Sequence, residues 1–325
     1  MRVLVCGGAG FIGSHYTRTM LAGGYRGFED AEVTVLDKLT YAGDTRNLPM
    51  DDQKLTFVHG DLRDSELLGR LVPGHDMVVN FAAESHVDRS LGPDAAVFSA
   101  SNVLGVQNLL EVCLHAEVGP VVQVSTDEVY GSIEEGTWTE DEPLLPNSPY
   151  AASKAGGDLI ARSYHQTHGL DVRVTRCSNN YGPHQHVEKL LPRFITRLLT
   201  GRSVPVYGDG RNVREWLHVD DHCRAIHLVL TEGAAGRVYN IGGGSALSNL
   251  EMTGRILDLC GMGWDMVTFV EDRKGHDLRY AINDDRIRSE LGYRPRWSLD
   301  KGLSATVQWY RDNPAFWKSA EELPA

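Results

Sequence analysis

Tyr150 and Lys154 stand four positions apart, a spacing with which a tyrosine can exchange a proton with a substrate hydroxyl. On a helix this spacing places both side chains on one face. Ser148 suits the cap of such a helix, and Pro149 suits its first turn. A phenol with its ordinary pKa of about 10 is a poor base at neutral pH, but a neighbouring ammonium should lower that pKa. The pair therefore predicts acid–base chemistry, although an isolated pair of this kind is more often a tyrosine stacked on a lysine stem.

Two adjacent acids, Asp127 and Glu128, follow an apolar segment that ends in Ser125 and Thr126. Carboxyl groups in different environments can divide two tasks, one removing a carbon-bound proton while the other protonates a departing hydroxyl. The alternative is that both acids are exposed, since the chain has 44 aspartates and glutamates. Their position directly after the two hydroxyl side chains favours a catalytic role, with Thr126 linking them to Tyr150.

Gly7, Gly10 and Gly13 are spaced as G-x-x-G-x-x-G between an apolar segment and an amphipathic one. Glycine permits a tight turn that a pyrophosphate can approach closely, and the free N–H groups of a following helix can bind it. Asp37 ends the second apolar segment, where an acid accepts hydrogen bonds from ribose hydroxyls and repels a 2′-phosphate. The pattern predicts a dinucleotide site rather than a structural turn, and it favours NAD over NADP, a preference that Lys38 weakens.

Two further loops should border the same site, because each follows a predicted strand of a parallel sheet. Asp61-Leu62 could hold the adenine, although a helix cap explains Asp61 equally well. The small residues of 81–83 would let a cofactor lie against the backbone. A positively charged nicotinamide beside Tyr150 would add to the effect of Lys154 on the phenol.

Short apolar segments alternate with longer amphipathic ones in the first half of the chain, which is typical of a parallel sheet covered by helices on both faces. The predicted strands are 2–6, 32–36, 55–59, 77–81, 121–125 and 172–177. The predicted helices are 10–22, 65–71, 102–116 and 150–168. We therefore predict an α/β fold with a doubly wound parallel sheet of the Rossmann type.

After Tyr181-Gly182-Pro183 the pattern changes and predicts a smaller mixed α/β lobe. We expect helices over 189–199, 249–260, 285–291 and 299–312, strands over 204–207 and 238–241, and a strand end followed by a helix over 217–230. Residues 1–182 and 217–242 are assigned to an NAD-binding domain, and residues 183–216 and 243–325 to a substrate-binding domain. The cleft between the two is the expected ligand site.

The composition restricts the classes of partner. The net charge of −12 argues against nucleic acid or an anionic membrane surface. Five scattered cysteines without a C-x-x-C pair fit a reducing compartment, and the histidines show no metal-ligand spacing. No leader segment is apparent, and no segment is expected to approach the roughly 20 apolar residues of a membrane span. We expect a cytoplasmic enzyme without a metal.

Taken together, the glycine motif, Asp37, Ser125-Thr126 and the Tyr150/Lys154 pair resemble the extended short-chain dehydrogenase/reductase superfamily. Within it, segments spread over nearly the whole chain resemble the dTDP-glucose 4,6-dehydratases: 82–90, 126–131, 176–183, 188–190, 213–216 and 272–277. The chain departs from that pattern at Cys6, where threonine is usual, and at 184–187, where an aromatic residue or proline is often found. Neither departure affects a proposed chemical group.

The resemblance implies a set of site residues. It implies catalytic roles for Thr126, Asp127, Glu128, Tyr150 and Lys154. The cofactor would contact Gly7, Gly10, Phe11, Ile12, Gly13, Asp37, Lys38, Thr40, Asp61, Leu62, Phe81, Ala82, Ala83, Ser85, Ser101, Ser125, Tyr150, Lys154, Cys177 and Asn180. The substrate would contact Ser85, His86, Thr126, Asn179, Glu188, Lys189, Leu190, Pro205, Tyr207, Arg214, Asn249, Arg273, His276 and Tyr280.

The resemblance also implies a reaction, in which tightly bound NAD+ oxidises carbon 4 of dTDP-glucose, water leaves across carbons 5 and 6, and the cofactor is regenerated. It implies a homodimer formed through the helices at 102–116 and 150–168. Two alternatives remain, namely a UDP-sugar dehydratase or epimerase on the same scaffold, and a non-catalytic NAD-sensing protein. An epimerase would not need the Asp127-Glu128 pair, and a sensor would not need Tyr150 and Lys154.

Overall fold

A parallel seven-stranded sheet lies at the centre of the structure, a computed structural model that describes residues 1–321. The strand order is β10-β6-β5-β4-β1-β2-β3. Its strands are β1 (Arg2–Cys6), β2 (Glu32–Asp37), β3 (Leu55–His59), β4 (Met77–Asn80), β5 (Val121–Thr126), β6 (Val172–Cys177) and β10 (Val238–Ile241). The chain crosses over between neighbouring strands, so the prediction of a doubly wound Rossmann-type fold is confirmed.

Helices cover both faces of this sheet, which explains why its strands are apolar throughout. The alternation of side chains sends Val3 and Val5 to one face, and Leu4 and Cys6 to the other. The helices of this part of the fold are α1 (Phe11–Leu21), α2 (Ser65–Leu71), α3 (Val87–Ser90), α4 (Ala96–Ser99), α5 (Gly105–His115), α6 (Pro149–His168), α8 (Val219–Glu232) and α10 (Asp285–Leu291). Helices α1 and α8 share one core, whereas α2, α5 and α6 share the other.

A second lobe packs around its own core. It contains a three-stranded sheet in the order β11-β9-β7 and a two-stranded sheet of β12 and β8. The strands are β7 (Asn179–Tyr181), β8 (Val204–Tyr207), β9 (Val213–His218), β11 (Ala246–Ser248) and β12 (Val267–Val270), and the helices are α7 (Leu190–Leu199), α9 (Asn249–Cys260), α11 (Leu299–Asp312) and α12 (Pro314–Glu321). Short 3-10 helices span Thr45–Asn47, Asp127–Tyr130 and Trp264–Met266. The sequence analysis did not predict β7, β11 or β12, and it predicted only the end of β9.

Helix α6 begins as its sequence predicts. The Ser148 hydroxyl accepts a hydrogen bond from the amide of Ala151 at 3.1 Å, and Pro149 occupies the first turn. The helix ends at Gly169, whose φ of 71° lies in the left-handed region that glycine adopts without strain. Tyr150 and Lys154 are both buried on the face that packs on β5 and β6.

Helices α4 and α5 join through a π-helical segment, Ala100–Leu104, into one helix of 20 residues, Ala96–His115. Its mean hydropathy of 1.3 and its length would also suit a membrane span, so the expectation that no segment approaches one is wrong on these two criteria. Buried Leu109 and Leu110 pack on the sheet, while Leu104 is 49% exposed. The buried core helices of soluble proteins can have the same length and hydropathy as a membrane span.

Candidate active site

A cleft opens at the carboxyl ends of the parallel strands, where the topology of such sheets places ligands. Every residue that the sequence analysis assigned to the cofactor lines it, and so do all five proposed catalytic residues. From the proposed substrate residues, the cleft wall includes Ser85, Thr126, Asn179 and Lys189. Residues predicted from separate strand ends, loops and helices of the chain therefore meet in one cleft.

The glycine turn between β1 and α1 has no room for side chains. A Cβ at Gly7, where φ is 74°, would lie 2.5 Å from the amide nitrogen of Ala82. A Cβ at Gly13 would lie 2.3 Å from the carbonyl oxygen of Gly7. Gly10 caps α1 without a side-chain hydrogen bond, so the first-turn N–H groups are left for a ligand. This cradle fits the pyrophosphate of NAD.

The carboxylate of Asp37 is fixed by the backbone at the end of β2. One oxygen accepts from the amide of Ala9 at 2.9 Å, and the other accepts from the amide of Leu39 at 2.8 Å. Burial raises the pKa of Asp37, and these two hydrogen bonds oppose that rise. Each oxygen keeps a lone pair for a ribose hydroxyl, as the NAD preference requires.

Lys38 is not free to favour NADP, because its ammonium lies 2.9 Å from the Asp61 carboxylate. The Arg63 guanidinium binds the same carboxylate at 2.7 Å. Burial opposes the effect, but hydrogen bonds from Arg63 and Lys38 lower the pKa of Asp61 to about 2. The cap of α2 is Asp64, which accepts from the amide of Leu67 at 2.9 Å, so the helix-cap explanation of Asp61 is wrong.

The catalytic residues converge from β5, the 127–130 turn and α6. The Thr126 hydroxyl donates to Asp127 at 3.3 Å and accepts from the amide of Glu128 at 3.3 Å, which starts the turn that carries both acids. The Lys154 ammonium donates to the carbonyl oxygen of Val124 at 2.7 Å. The alternative of exposed surface acids is thereby excluded for Asp127, which is 2% exposed.

The two acids are adjacent but lie in unequal surroundings, since Asp127 is buried and Glu128 is half-buried. Burial raises the pKa of Asp127 well above its ordinary value, and the charges of Glu128 and Glu215 raise it further. Burial also raises the pKa of Glu128, but there the charges of Arg214, Arg273 and Lys189 oppose the rise. If the two carboxyl groups hold one proton between them, these surroundings favour placing it on Asp127 and leaving Glu128 ionised.

Tyr150 differs from the sequence prediction. Burial raises its pKa well above the ordinary value, the negative charge of Glu128 adds to that rise, and a hydrogen bond with Thr126 opposes it. The predicted lowering by Lys154 is therefore wrong for the chain alone. Burial lowers the pKa of Lys154 itself, and the charge of Asp158 opposes that change.

The basic residues proposed for the substrate surround Glu128 from the second lobe. Lys189 donates to the carbonyl oxygen of Ser85 at 2.7 Å, and Arg214 donates to the carbonyl oxygen of Asp277 at 2.9 Å. The Arg214 guanidinium lies 4.3 Å from the centroid of the Tyr280 ring. The charges of Lys189, Arg214 and Arg273 all lower the pKa of Glu128, so the second lobe places positive charge at this end of the cleft.

Other proposed substrate residues do not line the cleft: His86, Glu188, Leu190, Pro205, Tyr207, Arg214, Asn249, Arg273, His276 and Tyr280. Leu190 packs against the core of the second lobe. The rings of Tyr207 and His276 lie 6.4 Å apart in an edge contact. Burial and the charge of Arg273 lower the pKa of His276, so we expect it to act as a neutral hydrogen-bonding group rather than as a cation.

The sequence analysis missed several residues that line the cleft: Leu36, Ala42, Gly43, Gly60, Glu84, Val124, Ser178, Gln185 and His186. Most lie within two positions of a predicted residue, so proximity to a strand end was the available signal. The ring of His186, on the cleft wall, contacts the ring of Tyr41. In residues 1–321, no group of three His, Cys, Asp or Glu side chains is placed to hold a metal ion.

Five buried polar atoms of the cleft wall have no hydrogen-bond partner among the described residues. They are the Ser125 hydroxyl, the Asp127 Oδ2, the Ser178 hydroxyl, the Asn179 Oδ1 and the Gln185 Oε1. Buried polar groups are nearly always paired, so unpaired ones at a cleft wall indicate contacts reserved for a ligand. None of the five belongs to the glycine turn between β1 and α1.

Comparison with known proteins gives a consistent result. Residues 4–306 match the family model described as GDP-mannose 4,6 dehydratase. A dTDP-glucose 4,6-dehydratase of Streptomyces antibioticus is 58% identical, over 100% of this chain and 97% of that protein. The low-salt glycan biosynthesis protein Agl12 of Haloferax volcanii is 53% identical, over 95% and 98%.

Solved structures agree. The crystal structure of DesIV, a dTDP-glucose 4,6-dehydratase from Streptomyces venezuelae with NAD and TYD bound, superposes with a TM-score of 0.96. It is 60% identical and covers 98% of this chain and 99% of that one. A UDP-glucose 4-epimerase of Thermotoga maritima with UDP-glucose gives a TM-score of 0.89 at 29% identity, over 97% and 100%.

Replacing Asp61 with asparagine should weaken the preference for NAD. The change releases Lys38 and Arg63 next to the ribose site, where a charge-assisted contact to a 2′-phosphate contributes about 1.5–3 kcal/mol. We expect the ratio of NADP+ to NAD+ affinity to rise about tenfold, measured by calorimetry on cofactor-free protein at fixed ionic strength. Asp30→Asn, which removes an exposed acid paired with Lys54 at 3.3 Å, is the control. An unchanged ratio in Asp61→Asn would contradict the role of the ion pair.

Proposed function

This chain belongs to the GDP-mannose 4,6-dehydratase family, and we propose that it is an NAD-dependent dTDP-glucose 4,6-dehydratase. It converts dTDP-glucose to dTDP-4-keto-6-deoxyglucose. The observation that supports this activity most strongly is the pair of buried Asp127 and half-buried Glu128 in the same cleft as Tyr150. An epimerase on the same scaffold needs no such pair of acids.

The chemistry that NAD+ supplies when bound in this cleft is acceptance of a hydride from carbon 4 and its return to carbon 6, which leaves the cofactor unchanged after each turnover. In the first step, Tyr150 takes the proton of the 4-hydroxyl, with Thr126 as its hydrogen-bond partner. Because burial disfavours the phenolate, this step requires nearby positive charge. Lys154, one helical turn away, supplies part of it.

The elimination step divides between the two acids. The new ketone at carbon 4 acidifies the proton on carbon 5, and Glu128 removes it as a base. Glu128 returns this proton to carbon 5 when carbon 6 is reduced, which completes the 4-keto-6-deoxy sugar. Asp127 donates its proton to the departing 6-hydroxyl. The direction of each pKa supports this division, because burial and two neighbouring acids keep the proton on Asp127, while three basic residues favour the ionised form of Glu128.

We assign the substrate's diphosphate to the basic residues of the second lobe. Arg214, Lys189 and Arg273 supply the positive charge, and the Asn179 amide donates a hydrogen bond. The base would stack on Tyr207 beside His276. In this proposal residues 1–182 and 217–242 bind NAD, and residues 183–216 and 243–325 bind the nucleotide sugar.

We also propose a cytoplasmic homodimer that acts in deoxysugar biosynthesis. The interface would be formed by the long helix Ala96–His115 and by α6, which pack side by side. Leu104 and Leu159, one on each helix, are 49% and 54% exposed. A second copy of the same surface would cover these leucines and would account for the high hydropathy of the first helix.

Replacing Asp127 with asparagine should slow elimination far more than oxidation. Removing a general acid costs about 10²- to 10⁴-fold, whereas the groups that act at carbon 4 remain. In a single turnover with dTDP-glucose, reduced cofactor should form at the normal rate and then persist, as followed by nicotinamide absorbance. Glu135→Gln, a change at an exposed acid, is the matched control. Turnover of dTDP-glucose by Asp127→Asn at the parental rate would refute the role of this acid.

Replacing Arg214 with alanine should raise the Michaelis constant for dTDP-glucose, with a smaller effect on turnover. A lost charge-assisted contact to the diphosphate corresponds to about 10- to 100-fold. Steady-state kinetics of 4-keto sugar formation measure both constants. Arg211→Ala, in the exposed loop before β9, serves as the control. A fall in turnover at an unchanged Michaelis constant would argue against a binding role for Arg214.

Replacing Leu104 with glutamate should separate the proposed dimer, because it places a charge in an apolar interface. The parental protein is expected at about twice its chain mass of 35.9 kDa by light scattering, and the variant at the chain mass. Leu145→Glu, at a residue that is 60% exposed outside both helices, should remain dimeric. A monomeric parental protein would overturn the proposal.

A further inference from the structure

A fully buried ion pair joins β6 to α6, the helix that carries Tyr150 and Lys154, and has no part in the chemistry described above. The Arg176 Nε on β6 donates to the Asp158 Oδ2 on α6 at 2.9 Å, and both side chains are completely shielded from solvent. A buried ion pair is often no more stabilising than apolar residues of the same volume. Fold stability alone therefore gives little reason for charges at this position.

Arg176 also contacts the turn that carries the two acids. Its Nη1 donates to the Tyr130 hydroxyl at 2.8 Å, and the guanidinium carbon lies 4.8 Å from the centroid of the Tyr130 ring. The Tyr130 hydroxyl in turn donates to the Asn240 Oδ1 on β10 at 2.8 Å. Tyr130 ends the 3-10 helix that begins at Asp127. One guanidinium thus connects α6, the acid-bearing turn and β6.

Asp158 lies one helical turn beyond Lys154 on α6, so both side chains point to the same face of the helix. Burial lowers the pKa of Lys154, and among the charged groups Asp158 opposes this most, followed by Cys177 on β6. The Asp158 Oδ1 has no hydrogen-bond partner in the described part of the chain. Burial raises the pKa of the Cys177 thiol beyond the physiological range, so this thiol stays neutral and Asp158 supplies the negative charge near Lys154.

We propose that Asp158 and Arg176 are positioning residues for the reaction. Asp158 keeps the buried Lys154 an ammonium, and Arg176, through Tyr130, fixes the acid-bearing turn relative to the helix that carries Tyr150. The charge on Lys154 then supports proton transfer to Tyr150 in the oxidation step. The fixed distance between the acid-bearing turn and α6 keeps both acids in position for the elimination step. This inference rests on the proposed dehydratase function, but its first half concerns the ionisation of a lysine that can be measured without substrate.

The first test is the pH titration of Lys154 in the Asp158→Asn variant. Asparagine has the size of aspartate and can still accept from Arg176, but it removes the negative charge. Lys154 should then lose its proton at a pH lower by about one unit or more, the usual size of such shifts in folded proteins. The measurement is the ¹³C signal of lysine labelled at Cε in the whole protein, with Lys154→Arg identifying the resonance.

The control for this titration is Asp221→Asn. It neutralises another buried acid, which is paired with Arg224 at 2.8 Å on α8. The titration of Lys154 should be unchanged in this control, even if its thermal stability falls as in Asp158→Asn. A folded Asp158→Asn in which Lys154 titrates as in the parental protein would overturn the electrostatic half of the proposal.

The second test is Tyr130→Phe, which removes one hydroxyl, keeps the ring and does not depend on Asp158→Asn folding. Elimination should slow about tenfold, the effect of a lost positioning contact of about 1.4 kcal/mol, while oxidation stays at the parental rate. Reduced cofactor should therefore accumulate during turnover of dTDP-glucose. Parental rates of both steps in this variant would overturn the positioning half. If the parental protein does not turn over dTDP-glucose, the proposed function fails, while the lysine titration still decides the electrostatic half.

Discussion

The whole site depends on the withdrawal of three ionisable groups from water into one small volume. Asp127, Glu128 and Tyr150 are all deprived of solvation, and burial raises the pKa of each. Their protonation states are therefore set by neighbouring charges rather than by bulk pH. The basic residues of the second lobe favour ionisation of Glu128, whereas burial and the charges of Glu128 and Glu215 favour the protonated form of Asp127. This difference gives two adjacent carboxyls distinct tasks, and it exists only because the two lobes meet over the strand ends.

The net charge of the chain does not describe the field at its active site. The protein carries a formal charge of −12, yet the substrate end of the cleft is bordered by Lys189, Arg214 and Arg273. At the opposite end, Lys38 and Arg63 are both held by the carboxylate of Asp61. Positive charge is thus available where a diphosphate would lie and engaged by an acid where a 2′-phosphate would lie. The local pairing of charges therefore favours a diphosphate-containing substrate at one end of the cleft and NAD over NADP at the other.

The sequence was sufficient to predict what depends on neighbours along the chain. The strands of the large sheet are continuous apolar segments, and the glycine turn and the Ser148 cap of α6 are local patterns, so each was placed correctly. Only the end of strand β9 was predicted, because the strand buries Arg214 and Glu215, whose charged side chains are not typical of core residues in a sequence. The ion pair of Lys38 with Asp61 and the pair of Asp158 with Arg176 also escaped, since each joins positions distant along the chain. The pKa of Tyr150 was predicted in the wrong direction because a neighbouring lysine was weighed and burial was not.

The protonation state of Asp127 at neutral pH is the most direct test of this account, because the division of labour between the acids follows from it. Infrared difference spectroscopy of the parental protein against Asp127→Asn measures the protonation state of the Asp127 carboxyl group in the folded protein. The account predicts that the parental protein shows the carbonyl-stretch band of a protonated carboxyl and that this band is missing from the variant. Only carboxylate bands in that difference spectrum would mean that Asp127 is ionised, which would contradict its assignment as the acid.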